Sequence, residues 1–155
     1  MSWENYENAM ELAKKCRFYT TASGKTTAEI QNAEKLLGVK FSNQFWDFNA
    51  KYGYLSFYGN EIFGADPDHL DEMEGNCVSY ALTDRREYHL PHHLIPIYNY
   101  NDGCMAYMDY SCLNKAGEPC IVMMEYNGVE YIHIETLAED FGDFVLKLVK
   151  EELDR

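Results

Sequence analysis

The chain has 155 residues, 46% hydrophobic and 25% charged, with a formal net charge of -13, which fits one globular domain large enough to bury a real core. So acidic a chain repels phosphate backbones and anionic bilayers, making nucleic acid and membrane poor partners and a basic protein a good one. No apolar run approaches a membrane span, and the opening Met-Ser-Trp-Glu-Asn has neither a basic start nor an apolar signal segment, so the expected location is the cytoplasm.

Trp3, Tyr6, Met10, Ala13 and Cys16 recur at helical spacing, predicting a first helix from Ser2 to about Arg17 or Tyr19. A polar link, Thr20 to Lys25, follows. Thr26 and Glu29 then stand three apart before Ile30, Ala33, Leu36 and Leu37, the spacing of a capping box, and Gly38 stops that helix. Ser42 is a second N-cap candidate, with Phe41 and Trp46 placed as a hydrophobic staple and Phe45, Phe48, Asn49 and Tyr52 on one face. Gly53 closes this helix. From Tyr54 the period becomes two, and a turn at Gly59-Asn60 leads to Glu61-Ile62-Phe63 and a break at Gly64.

The acidic, turn-rich stretch from Ala65 to Gly75 reads as a surface loop, and Val78, Ala81, Leu82 and Arg85 predict a short helix from about Asn76 to Arg86. Pro91 and Pro96 belong to an entry loop and strand start before Ile95 and Ile97, and Asn101-Asp102-Gly103 turns that strand back into Cys104 to Asp109. Ala116-Gly117-Glu118-Pro119 makes the next turn, and Asn127-Gly128 joins strands Cys120 to Tyr126 and Tyr131 to Ile134. Thr136 and Glu139 repeat the cap spacing before a last helix marked by Phe141, Phe144, Val145, Leu148 and Val149. The predicted fold class is α+β: one domain over 1–155, with a mainly antiparallel sheet packed by N-terminal helices and a C-terminal helix.

Several stretches taken together resemble the SUKH superfamily, bacterial immunity proteins related to yeast cell-wall assembly regulators. They are Ala33 to Ser42, Phe45-Trp46-Asp47-Phe48, Tyr52-Gly53 and Glu61-Ile62-Phe63-Gly64, followed by Leu94-Ile95-Pro96-Ile97, Asp102-Gly103, Gly117-Glu118-Pro119 and Phe141-Gly142-Asp143-Phe144. Ser42 departs from a proline common at that position. The resemblance implies a protein that binds and neutralises a toxin domain, often a nuclease or other enzyme with a basic cleft, and performs no reaction itself; a regulatory scaffold for a cellular protein is the alternative it leaves open.

Chemistry read from the residues gives weaker candidates. The acidic loop lacks the glycine and closing glutamate of an EF-hand, so calcium is not expected there. His89, His92 and His93 with Cys104 offer zinc-type ligands for a small metal-binding enzyme, but adjacent histidines on an extended segment face opposite ways. Cys104, Cys112 or Cys120 with His133 lacks any nucleophile-elbow context. Five cysteines without a Cys-x-x-Cys pair point to reduced thiols, and no cofactor or metal is expected.

The charge asymmetry is more informative. Between Tyr52 and Leu146 three basic side chains face seventeen acidic ones, while the remainder nearly balances. The same half carries tyrosines among acids, the composition of a protein-binding surface in which rings supply area and carboxylates supply steering. The expected partner-binding residues from the hairpin and loop are Tyr54, Tyr58, Glu61, Asp66, Asp68, Asp71, Glu72 and Glu74. From the sheet they are Tyr98, Tyr100, Asp102, Tyr107, Asp109 and Tyr110, on one face.

Overall fold

Thr26 accepts the backbone N–H of Glu29 at 3.2 Å and donates its own N–H to the Glu29 carboxylate at 3.0 Å, closing the reciprocal cap that the spacing predicts. In this computed structural model, which describes residues 2–155 and leaves Met1 of the N-terminal segment outside them, that cap opens α2 (Thr27–Leu37), and Gly38 ends it in the left-handed conformation. The preceding helix, α1 (Ser2–Ala13), is shorter than its apolar spacing predicts. Lys15 and Cys16 donate to carbonyls three residues back, tightening the chain out of the helix.

α3 (Asn43–Lys51) begins after Ser42, but the Ser42 side chain makes no cap bond. The carboxyl of Glu118, 3% exposed, lies there instead; burial raises it above the ordinary range, and the Ser42 hydroxyl and the backbone N–H groups of Gln44 and Asn43 offset only part of that. A carboxylate brought in from the turn at 114–118 thus serves the helix end that the local serine leaves open. Phe41 meets Phe45, at 4.9 Å between centroids and nearly perpendicular, so the aromatic lock at this helix start falls one residue before the predicted Trp46.

Among the described residues the strands form two antiparallel sheets. The small one orders β1 (Thr20–Thr21), β2 (Leu55–Phe57) and β3 (Asn60–Ile62); β1 lies in the stretch predicted as a polar link. Phe57 pairs with Asn60, so Tyr58 and Gly59, both at positive φ, make the two-residue turn one position earlier than predicted. The large sheet orders β4 (Leu94–Asn99), β5 (Cys104–Leu113), β6 (Pro119–Tyr126) and β7 (Tyr131–Ala138). Because Thr136 pairs with Val122, it continues β7 rather than capping a helix; Asp140 caps α5 (Phe141–Leu153) by accepting the N–H of Asp143 at 2.8 Å. α4 (Cys77–Tyr88) is capped by Asn76, whose side chain accepts from Val78.

The two faces of the large sheet are covered differently. Tyr98 pairs with Ala106 in the ladder and its ring meets Phe144 of α5, so that face packs on the α1–α5 pair. Tyr107, next to Ala106, points to the opposite face, toward α4. Phe45, Phe48 and Tyr6 gather around Phe141 at centroid distances of 5.3, 5.0 and 6.3 Å, tying α1, α3 and α5 into one core.

Two glycines let the connection from β3 to α4 close. A side chain on Gly64 would place its Cβ 1.6 Å from the carbonyl oxygen of Gly53, and Gly64 also donates to Gly75 at 3.1 Å and accepts from Cys77 at 2.8 Å. Gly64→Ala therefore forces backbone from backbone. The expected loss is about 3 kcal/mol, read as a lower urea midpoint, against a change within about 0.5 kcal/mol for the exposed Lys115→Ala.

Candidate functional site

β3, the loop between β3 and α4, the start of α4 and the β4–β5 turn converge on a cleft of about 480 Å³. Its walls carry Glu61, Glu74, Tyr80, Tyr98 and Tyr100, with Phe63 at its base. Phe63 and Tyr80 stack at 5.1 Å and 20°. The Tyr98 hydroxyl donates to Asn60 at 2.6 Å, and Asn60 in turn donates to Glu152 at 3.1 Å. Tyr98 and Tyr100 meet edge to face at 4.8 Å. Burial, then the neighbouring Tyr98 and Glu151, push the Tyr100 hydroxyl up to about 12, so it is a neutral donor at any physiological pH. A second depression, of about 460 Å³, adjoins the cleft through the shared residues Glu61, Met73 and Glu74 and adds Tyr54 and Glu72. There Tyr54 donates to Glu61, and burial first and that carboxylate second raise its hydroxyl.

The loop over the cleft is held from inside. Asn76, 4% exposed, accepts the N–H of Asp66 at 3.0 Å and donates to the carbonyls of Asp66 and His69 at 3.0 and 3.1 Å. Asn49, fully buried, accepts the N–H of Ala65 at 2.7 Å. The Asp66 carboxylate accepts from Asp68 N at 2.9 Å and meets His69 Nδ1 at 2.8 Å and Lys25 Nζ at 3.5 Å. Burial alone would raise it, but these donors outweigh burial and hold it below the ordinary carboxylate range. Asp66 therefore fastens the loop, while Asp68, Asp71, Glu72 and Glu74 stay exposed.

Of the sequence-predicted residues, Tyr54, Glu61, Glu72, Glu74, Tyr98 and Tyr100 line these two depressions. Tyr58, 38% exposed, and Asp102 flank them in the two turns. The expectation of one continuous sheet face is corrected: the acids and rings meet in a cleft where two sheets abut, because the middle of the large sheet is buried while its edge strand β7 stays largely exposed. Tyr107 is 2% exposed and belongs to the core under α4. Asp109 accepts from Ser111 N and Oγ at 2.9 and 2.6 Å, and the Tyr110 hydroxyl accepts from Ser42 N at 3.4 Å. Both sit five or more residues along β5 from the cleft end, about 16 Å away at strand rise.

Among the described residues no group of three or more His, Cys, Asp or Glu is arranged to hold a metal ion, and no helix is long and apolar enough to cross a membrane. All five cysteines are free thiols.

Sequence reasoning missed Asp84. It is 9% exposed on the sheet-facing stripe of α4, and burial alone lifts its carboxyl to about 6. Its position one helical turn after Tyr80 and one before Tyr88 was visible in the spacing; its burial depends on strands far along the chain.

A model of the SUKH_6 family, described as SMI1-KNR4 cell-wall, matches residues 27–145. No curated protein matches the chain.

Between about pH 4 and about pH 6 the folded chain keeps a proton on Asp84 that the unfolded chain has released, so stability falls as pH rises through that window. Asp84→Asn removes this contribution. The variant is expected to be more stable than the parent by about 1–2 kcal/mol near neutral pH and equal to it near pH 4, as measured by urea unfolding of both proteins at each pH.

Proposed function

Because the chain belongs to the SUKH family, over residues 27–145, we propose that it is an immunity protein. It binds a cognate, basic toxin domain, nuclease-like in charge, and blocks it without carrying out a reaction. The observation that supports this most is the cleft: carboxylates of Glu61 and Glu74 and rings of Tyr80, Tyr98 and Tyr100 face one space of about 480 Å³, beneath a loop whose exposed acids extend the same negative field. A basic protein meeting this surface is steered by the loop acids and held by desolvated rings, since long-range charge governs encounter while buried aromatics govern release.

Each part of the proposed surface has its own role. Asp68, Asp71, Glu72 and Glu74 act at a distance, where fixed bonds are unnecessary. Tyr54, Tyr98 and Tyr100 are already ordered by hydrogen bonds or ring contacts, so a partner pays little to order them further. Tyr58 and Asp102 form the rim. Asp66 contributes by keeping the loop in shape. The family description names cell-wall proteins, which favours as second reading a scaffold that binds a cellular regulator through the same cleft.

The test uses the product of the neighbouring reading frame as partner. In stopped-flow mixing, the association rate is expected to fall about tenfold as salt rises from about 50 to about 500 mM, and Glu72→Lys with Glu74→Lys to lower it by a similar factor at low salt. Tyr100→Ala is expected to raise the dissociation rate about tenfold or more with little change in association. A salt-independent association rate would remove the steering argument. Failure of co-expression to rescue growth, with binding intact, would favour the scaffold.

A further inference from the structure

Past the cleft, α4 carries Tyr80, Asp84 and Tyr88 at four-residue intervals, in a row along one side of the helix. The strands beneath bring further rings to the last two of them. Tyr88 meets Tyr126 at 5.0 Å, Tyr126 meets Tyr131 at 5.1 Å, and Tyr131 meets Tyr107 at 6.3 Å. Asp84 stands one helical turn before Tyr88, near enough that its charge raises the hydroxyls of Tyr107 and Tyr131. Tyr107 lies at the base of the group at 2% exposure, while Tyr88 stands at the surface at 45%.

Asp84 is 9% exposed as a residue, and its carboxylate has no hydrogen bond or ion pair with any described residue. Its basic neighbours are directed elsewhere: Arg85 donates from Nη2 to the carbonyl of His92 at 3.0 Å while its buried Nε has no partner, and Arg86 pairs with Glu87 at 3.6 Å. Buried acids without a partner are rare because the lost hydration goes uncompensated. A cation beside such an acid and against the face of a neighbouring tyrosine ring gains from both. An anion or a neutral polar group would gain from neither.

We infer that Asp84 with Tyr88, Tyr126 and Tyr131 forms a second recognition site, separate from the cleft, for a protonated alkylammonium or guanidinium group. The carboxylate takes the charge and the rings take the alkyl or planar face. The site needs no toxin to operate, so it stands or falls independently of the immunity function. Its ligand is either a lysine or arginine side chain of a protein or a free organic cation.

Full-length protein with ring-¹³C-labelled tyrosine separates these outcomes by NMR titration. Butylammonium chloride is expected to shift the rings of Tyr88, Tyr126 and Tyr131 saturably, with a dissociation constant in the millimolar range. Matched sodium chloride and butanol are expected to leave them in place. Asp84→Asn should weaken binding about tenfold or more, as should the surface change Tyr88→Leu, which does not depend on refilling the core. A short neutral-flanked lysine peptide binding more tightly than butylammonium assigns the site to a protein side chain, and equal affinity assigns it to a free amine. Linear, non-saturating shifts, equal response to butanol, or unchanged binding in both variants would overturn the site.

Discussion

A backbone hydrogen bond joins the end of the small sheet to the large one, beside the side-chain bond from Tyr98 to Asn60, and the shape of the surface follows from it. The ladder of β4 slips at Ile97, between Pro96 and Tyr98, which releases the Ile97 carbonyl to accept the N–H of Phe63 at 2.9 Å. A bulge re-aims the residues after it, so Tyr98 can reach Phe144 on one side while Asn99 and Tyr100 turn toward the hairpin. Had β4 run without the slip, β3 would have no acceptor at this point and the cleft no floor. Phe63, 3% exposed, is fixed at that floor by its backbone, which is why the Tyr80 ring has a surface to stack on.

The glycine contact extends the same constraint. With Gly53 and Gly64 in backbone contact, the loop that follows starts from a fixed point, and Asn49 and Asn76 hold it by satisfying N–H and C=O groups that would otherwise be buried without partners. A loop of this length carrying so many carboxylates would tend to swell through self-repulsion. Internal bonding removes Asp66 from that balance and leaves the remaining acids spread over a fixed frame. The negative field is then attached to a defined shape, and charge can contribute to orientation as well as attraction.

What the chain spells locally is what could be read from it. The Thr26–Glu29 cap, the stop at Gly38, the surface loop and the helix after Asn76 depend on neighbours within a few residues, and each stands where its spacing placed it. The misplacements have a common cause. Thr136 had cap spacing but is claimed by its ladder partner Val122; Ser42 had the chemistry of a cap but yields to Glu118, brought from 76 positions away in sequence by the β5–β6 turn; β1 is a strand only because β2 lies beside it. In the site, Tyr54, Glu61, Tyr98 and Tyr100 were visible as acids and rings, whereas the burial of Tyr107 depends on which face α4 covers. Composition named the ingredients, and only the packing decided which became surface.

Asp84 shows how far that distinction matters. A carboxylate at a sheet-facing helix position is unfavourable for folding, since burial raises its proton affinity and nothing nearby returns a hydrogen bond. A leucine or asparagine in its place would fit the same stripe with less penalty. The cost is offset at the other end of the helix, where Cys77, Val78 and Ala81 are fully buried in the core. α4 can therefore carry a poorly solvated charge at the sheet while its first turn remains fixed by Asn76 and by the Cys77 bond to Gly64. The helix is anchored firmly at the end that shapes the cleft and carries its electrostatic penalty at the other, so a cation reaching Asp84 would relieve that penalty without disturbing the cleft.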